Sequence, residues 1–273
     1  TARPTDAVIC AETAHIYIDE CGAPDQHAKL LGAPAEDGKI SAGAIDRYID
    51  QIGNQHVSQP RVVSITQPTE VGTVYTLDEI GTLAERAHRS GLVLHMDGSR
   101  LPNAAASLDC DFKDLTTDVG VDVLSFGGTK NGLLIGEAVV FLNPELGKDF
   151  PYVRKQGLQL ASKMRFISAQ FEALLSNDLW RRIALHENSM ATELASRVRM
   201  IDGVEILYPV EINAVFAKIP AAWLPAIEEQ FFFHILEPNE AHVRWMSGFD
   251  TTAEDVIRLS ELASRCSVQY NTR

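Results

Sequence analysis

Residues 92–98 read Leu-Val-Leu-His-Met-Asp-Gly, an apolar run that ends in polar residues. Residues 121–130 repeat this arrangement as Val-Asp-Val-Leu-Ser-Phe-Gly-Gly-Thr-Lys. Short, continuous apolar runs are typical of strands that are buried on both faces of a parallel sheet. Helix-like segments separate these runs, so strand and helix alternate along the first half of the chain. That alternation predicts an α/β fold with a mostly parallel, mixed sheet and helices on both of its faces.

Helix signals extend this reading toward the C-terminus. Residues 76–79 (TLDE) and 251–254 (TTAE) have the pattern of a capping box, which marks the start of a helix. Apolar residues at steps of four and three predict one long amphipathic helix from Leu160 to Leu174. Short strands and helices follow, which predicts a smaller C-terminal α+β domain. We place the boundary near residue 175, giving domains of residues 1–175 and 176–273.

Composition excludes several classes of protein. The 273 residues carry 24 Lys and Arg against 37 Asp and Glu, a formal net charge of −13. An acidic surface repels phosphate backbones, so we expect no nucleic-acid partner. The four cysteines form no C-x-x-C pair, so a reduced cytoplasmic compartment is the default. The longest apolar stretch, residues 132–142, is too short to span a bilayer, so we also expect no membrane partner.

The candidate catalytic residues stand at the ends of two predicted strands. Ligands of open α/β sheets bind beyond the carboxyl ends of strands, and Asp97 and Lys130 stand at two such ends. A partly desolvated lysine forms an imine with an aldehyde, and an aspartate pairs with a protonated ring nitrogen. Together they indicate pyridoxal phosphate chemistry, with Ser125 and Thr129 as hydroxyls near the phosphate. Spacing alone leaves open that Lys130 is a solvated turn residue and that Asp97 lies in an ordinary turn.

A metal site is the alternative at the same position. His95 and Asp97 resemble a metal-binding pair, but no third ligand follows at a suitable spacing. We therefore expect no metal.

The sequence of residues 95–100 and 125–132 resembles that of the threonine aldolase and β-eliminating lyase family. This family is a branch of the fold type I, aspartate-aminotransferase-like enzymes that use pyridoxal phosphate. Residues 12–16, 163–165 and 243–245 agree with it, so the resemblance covers nearly the whole chain. It implies a cytoplasmic lyase of amino-acid metabolism that acts as a homodimer or homotetramer. The implied reaction is retro-aldol cleavage of a β-hydroxy-α-amino acid, of threonine or phenylserine type, to glycine and an aldehyde.

The resemblance also implies roles for residues around the cofactor. Lys130 would form the Schiff base with pyridoxal 5'-phosphate, and Asp97 would pair with the pyridine nitrogen. His15 would stack over the ring and act as a base. Ser125 and Thr129 would be weaker contacts to the phosphate or the ring. Taken alone, His15 reads more simply as a partly buried turn histidine.

The resemblance also implies three substrate-binding arginines. Arg244, helped by Arg100, would bind the amino-acid carboxylate through two parallel hydrogen bonds, which a lysine cannot match. Arg165 would reach the site of a neighbouring subunit, because these enzymes build their sites at a dimer interface. The alternatives are a surface strand arginine at position 244 and a helix salt bridge at position 165.

Two departures from the family pattern affect these expectations. The family has a glycine-rich phosphate-binding segment upstream of His15, whereas none of the fourteen residues before His15 is glycine. We therefore expect residues 1–175 to be N-terminally incomplete as a cofactor-binding domain. Residues 67–70 (QPTE) replace an asparagine–threonine–histidine stretch, and we read Thr69 as the replacement for its histidine. The remaining alternatives are another pyridoxal phosphate lyase, an aminotransferase, or a non-catalytic chain of this fold.

Overall fold

The computed structural model describes residues 2–237 and 239–271. Six strands form the first sheet, in the spatial order β2-β1-β3-β4-β5-β6. The first five run parallel, and β6 pairs antiparallel with β5. The strands are β1 (Asp6–Ala11), β2 (Lys29–Ala33), β3 (Gln59–Thr66), β4 (Val93–Gly98), β5 (Val123–Gly127) and β6 (Glu137–Phe141). This arrangement confirms the predicted mixed, mostly parallel sheet.

Ten helices accompany the strands among the described residues. They are α1 (His15–Ile18), α2 (Ala42–Ile49), α3 (Leu77–Arg89), α4 (Leu101–Ser107), α5 (Phe112–Leu115), α6 (Phe150–Gln156), α7 (Arg165–Leu175), α8 (Leu179–Val198), α9 (Leu224–Glu228) and α10 (Ala253–Asn271). The main core joins the sheet to α2 and α3, and fully buried Leu94, Ile45 and Ile80 represent the three elements. Burial of each such side chain stabilises the fold by about 1.5–3 kcal/mol.

The second sheet is antiparallel and smaller. Its strands are β7 (Glu205–Ile206), β8 (Ala214–Lys218), β9 (His234–Glu237) and β10 (His242–Met246), in the order β7-β8-β10-β9. Its core includes the fully buried Trp223 and Ile227, with Val256 from α10. Helix α8 serves both cores: Trp180 packs in the first, whereas Leu194 and Val198 pack in the second. The predicted domain boundary near residue 175 falls just before this helix and stays a prediction.

Two helix starts differ from the sequence expectations. The helix predicted from Leu160 begins only at Arg165, and Leu160 is left 39% exposed in the segment before it. The last capping box uses Thr252 and Asp255, one residue later than predicted: the Asp255 N–H donates to the Thr252 hydroxyl at 3.2 Å. The Thr76 box that opens α3 is confirmed.

No helix within residues 2–237 and 239–271 combines the length and the apolar character needed to cross a membrane.

Candidate active site

The register of the first sheet brings the polar strand ends together. Asp97 of β4 lies between Thr66 of β3 and Ser125 of β5. Lys130 follows β5 directly, in a single 3₁₀ turn over residues 129–131. The carboxylate and the amine therefore belong to neighbouring strand ends at one edge of the sheet, as the sequence predicts.

The two glycines before Lys130 allow its turn to approach other backbone closely. A methyl group at position 127 would lie 2.2 Å from the Ser99 carbonyl oxygen, and one at position 128 would lie 2.3 Å from the Gly136 carbonyl oxygen. Real Cβ atoms do not approach oxygen so closely. The Asn131 side chain then ties the segments together, because its Nδ2 donates to the carbonyl oxygens of Ser99 (2.9 Å) and Gly127 (2.8 Å).

Asp97 is held through one oxygen. Its Oδ1 accepts hydrogen bonds from the Ser99 N–H at 2.9 Å and from the Ser99 hydroxyl at 2.7 Å. Oδ2 makes no hydrogen bond to any residue that the structure describes. One carboxylate oxygen thus fixes the side chain, and the other can accept a proton donor from a ligand.

The positive charges of the site lie close enough to affect one another. Burial and then the charge of Arg100 lower the pKa of Lys130, while Asp97 and Glu137 oppose this shift. Burial and then the charge of Arg244 lower the pKa of Arg100. The Arg244 Nε is itself buried with no hydrogen-bond partner among the described residues. Two crowded guanidinium groups with an unsatisfied donor form a site suited to an anion such as a carboxylate.

Glu137 is a residue of this site that sequence reasoning missed. Its carboxylate accepts hydrogen bonds from the N–H groups of Gly128 (3.1 Å) and Thr129 (3.2 Å), the two residues before Lys130. Because β6 is antiparallel to β5, Glu137 lies opposite Gly127 in the sheet. The carboxylate therefore holds the backbone of the Lys130 turn in place, and no local sequence motif predicts this contact.

His15 begins α1, the short helix after β1. Its Nδ1 lies 3.0 Å from Glu20 Oε1, and its backbone N–H donates to Glu70 Oε1 at 2.8 Å. The reading of Thr69 as the replacement for the family histidine stays a prediction. Thr69 is buried, and its hydroxyl lies 2.7 Å from the Thr73 hydroxyl, so it is held inside the turn. Two residues of this stretch contact predicted site residues: the Gln67 N–H donates to the Asp97 carbonyl oxygen at 2.8 Å, and the Glu70 carboxylate accepts the His15 N–H.

Ser125 and Thr129 stay predictions as cofactor contacts. Ser125 Oγ lies 2.9 Å from His95 Nε2, and His95 Nδ1 lies 2.8 Å from Ser64 Oγ. The Thr129 hydroxyl accepts a hydrogen bond from the Gly136 N–H at 3.1 Å. Both hydroxyls are thus already engaged within the chain.

Arg165 is exposed at the start of α7, and its side chain makes no hydrogen bond or ion pair to the described residues. The structure does not bring it to the other site residues, and its predicted role in a neighbouring subunit stays a prediction.

Within the described ranges, no three His, Cys, Asp or Glu side chains are grouped so as to hold a metal ion. Both nitrogens of His95 contact serine hydroxyls, so its ring is not arranged as a ligand.

The side chains at the sheet edge fit pyridoxal phosphate and an amino acid. Lys130 offers an amine whose lowered pKa favours its nucleophilic form. Asp97 offers a free oxygen for a ring N–H, and Arg244 offers an unsatisfied donor for a carboxylate. Together these side chains offer an amine for the cofactor aldehyde, a carboxylate for the ring nitrogen and a cationic site for the substrate carboxylate, which such chemistry requires.

Comparison with known proteins agrees with this geometry. Residues 1–222 match the model of the β-eliminating lyase family. The chain is 44% identical over 261 residues to a low specificity L-threonine aldolase of a Pseudomonas species, covering 94% of this chain and 75% of that protein. It is also 44% identical over 260 residues to the enzyme of the same name from Pseudomonas aeruginosa, covering 94% and 74%.

A solved structure of Leishmania major threonine aldolase superposes with a TM-score of 0.90 at 28% identity, covering 97% of this chain and 78% of that one. The family match spans most of the chain, and the Pseudomonas relatives match almost all of it. This protein therefore belongs to the β-eliminating lyase family.

Proposed function

We propose that the protein is a pyridoxal phosphate-dependent aldolase that cleaves a β-hydroxy-α-amino acid of threonine type to glycine and an aldehyde. The observation that carries the proposal is the convergence of Lys130, Asp97 and Arg100, at the strand ends of the first sheet, with Arg244 from β10 of the second sheet. The similarity to low specificity L-threonine aldolases favours a β-hydroxy-amino acid over other substrates of this fold.

The proposed reaction depends both on the cofactor and on side chains of the protein. Pyridoxal phosphate held by Lys130 supplies the electron sink for the pair left on Cα when the Cα–Cβ bond breaks. Asp97 Oδ2 keeps the proton on the ring nitrogen, which the sink requires. The neighbouring Ser99 holds this carboxylate in a fixed orientation.

The arginines and His15 act on the substrate. Arg244 and Arg100 bind the substrate carboxylate and so orient the Cα–Cβ bond for cleavage. His15, or a water that it holds, takes the proton of the β-hydroxyl as that oxygen becomes the aldehyde carbonyl. A proton is returned to Cα, and glycine leaves.

The test uses this chain with added pyridoxal phosphate and L-threonine, beside Lys130→Ala. We expect equal amounts of glycine and acetaldehyde from the parent chain and none from the variant. A 2-oxo acid with ammonia would indicate elimination, and loss of the amino group to an added acceptor would indicate transamination. Absence of all products with cofactor bound would support the non-catalytic alternative.

We further propose that the chain works as a homodimer or homotetramer. The segment after Lys130 exposes apolar side chains, with Leu134 88%, Leu158 90% and Phe166 65% exposed. Large exposed apolar areas are typical of protein–protein contacts. Light scattering of the purified chain tests this proposal, and a monomer at micromolar concentration would contradict it.

The cytoplasm is the compartment that we propose. All four cysteines are free thiols, which supports a reducing environment. Fractionation of cells that express the protein would test this assignment.

A further inference from the structure

Glu70 caps a helix to which it is not joined in sequence. The carboxylate follows β3, and its Oε1 accepts the N–H of His15 at 2.8 Å across 55 residues. His15 is the first residue of α1, and the N-cap residue Ala14 has no side chain that can accept a hydrogen bond. A helix of four residues is too short to be stable by itself. The start of α1 is therefore fixed by a contact from the segment beyond β3.

The carboxyl of Glu70 is costly for the fold. Burial raises its pKa and the charge of Asp97 adds to the effect, while the His15 N–H and the nearby Thr66 hydroxyl oppose it. Its second oxygen, Oε2, is buried and makes no hydrogen bond within the described part of the chain. A glutamine would accept the same hydrogen bond without placing a charge beside Asp97.

Other titratable groups surround this carboxyl. Cys10 on β1 has a pKa raised to about 12, by burial first and then by the charge of Glu70. Burial raises the pKa of Tyr75, with Glu70 contributing. Glu70 thus lies among Cys10, Tyr75, Asp97 and His15, which come from four different segments of the chain.

Helix α1 connects this carboxyl to both ends of the site. Its first residue carries the imidazole, whose Nδ1 is directed to Glu20. Asp19, just beyond its last residue, lies near enough to Arg244 to act on the pKa of that guanidinium. A displacement of α1 would therefore affect the histidine and the surroundings of Arg244 together.

We propose that Glu70 is the positioning residue for His15: its carboxyl holds the start of α1, and with it the imidazole, in a fixed place at the edge of the first sheet where the strands end. The inference concerns the placement of a residue of this chain, and its catalytic consequence rests on the proposed aldolase function. The hydrogen bond needs only an acceptor oxygen at position 70, so Gln should preserve the placement and Ala should lose it.

The first test requires no cofactor. The chain is labelled with ¹⁵N-histidine, and the His15 ring signals are assigned with His15→Gln and followed by NMR from pH 4.5 to 9. We expect Glu70→Ala to shift these signals and Glu70→Gln to retain them. The parent signals should show an additional small step above the usual range of a glutamate, which Glu70→Gln removes because it cannot titrate. Unchanged His15 signals in Glu70→Ala would overturn the proposal.

The second test measures threonine cleavage by the chain loaded with pyridoxal phosphate. Loss of a correctly placed base costs about 10²–10⁴-fold, and partial misplacement should cost less. We expect Glu70→Ala to lower kcat about tenfold or more with little change in KM, and Glu70→Gln to restore most of the rate. An unchanged kcat in Glu70→Ala of an active enzyme would also overturn the proposal.

Two controls separate the possible failures. Glu85→Gln removes an exposed carboxylate on α3 whose ion pair within the described ranges is with Arg89, and it should behave like the parent chain. If Glu70→Ala does not fold, Glu70→Asp withdraws the acceptor by one methylene and takes its place. If the parent chain releases no glycine, the aldolase proposal fails, while the NMR result still decides the role of Glu70.

Discussion

Ser99 donates twice to one oxygen of Asp97, at 2.9 Å from its backbone N–H and at 2.7 Å from its hydroxyl. The two bonds leave the other oxygen of the carboxylate free to face a ligand. Ser99, the residue after the Asp97-Gly98 pair, therefore determines how firmly the Asp97 carboxylate is held.

Replacing Ser99 by Ala should weaken cofactor binding while the fold is retained. The backbone bond remains, but the charge-assisted bond from the hydroxyl is lost, and such bonds contribute about 1.5–3 kcal/mol. We expect the Kd for pyridoxal phosphate to rise about tenfold, measured by titration at fixed pH. An unchanged Kd would show that the backbone N–H alone is sufficient to hold Asp97.

Replacing Gly127 by Ala should disrupt the turn that carries Lys130. The new methyl group would lie 2.2 Å from the Ser99 carbonyl oxygen, so one of the two strand ends must move. We expect a lower urea midpoint and little capture of pyridoxal phosphate. Gly81→Ala is the matched control: it lies in α3 with open space around its Cβ position, and it should stabilise the fold by up to about 1 kcal/mol.

The free energy of unfolding should depend on the protonation of Lys130. Burial and the charge of Arg100 lower its pKa in the folded chain below the ordinary value of 10.5. The folded state therefore binds this proton less tightly than the unfolded state does. The resulting loss of stability is complete below the folded pKa and disappears as the pH rises through 10.5.

Lys130→Met should accordingly raise the urea midpoint at pH 7, and this gain should shrink toward pH 10.5. Lys113→Met is the control of opposite sign, because the hydrogen bond from Lys113 to Asp118 raises the pKa of that exposed amine. It should bring no gain at pH 7. A gain for Lys130→Met that does not vary with pH would indicate a packing effect instead.

Arg244→Met should raise the KM for the amino acid far more than it lowers kcat. Its Nε is buried and has no hydrogen-bond partner in the part of the chain that the structure describes, and a bound carboxylate would supply one. Loss of hydrogen bonds to a charged group costs about 1.5–3 kcal/mol each, so we expect a rise of about tenfold to a hundredfold. Arg89→Met, an exposed arginine on α3, should leave KM unchanged.

The same measurement decides the predicted role of Arg165. If this arginine reaches the site of a neighbouring subunit, Arg165→Met should raise KM as well. A KM equal to that of the parent chain would remove it from the site.

Local sequence patterns predicted most of the fold, because continuous apolar runs reflect buried strands and the spacing of apolar residues reflects the helical period. The apolar runs that end at Asp97 and Ser125 became adjacent parallel strands, and the rule about strand ends placed Lys130 beside them. The prediction from apolar periodicity was wrong at the start of α7, because the periodic spacing of apolar residues begins before the helix does. Leu160 matches the period of α7 but lies outside the helix and is 39% exposed, because an apolar spacing by itself does not fix where a helix begins.

The residues that sequence reasoning missed act through contacts that arise only once the strands have paired or the segments have packed. Glu70 meets His15 across 55 residues, and Glu137 meets the Lys130 turn only because β6 folds back along β5. One signal for Glu70 was present, since it is the only charged residue between Arg61 and Asp78. A single charge inside an otherwise uncharged stretch of strand and turn indicates a specific partner.

Helix α8 has a mechanical consequence. Its twenty residues make a rod about 30 Å long whose first turns are anchored under Lys130's sheet and whose last turns are anchored under Arg244's sheet. This continuous helix joins the core beside Lys130 to the core beside Arg244, so the distance between the two side chains depends on how α8 packs at both of its ends. We therefore expect the two cores to unfold as one cooperative unit.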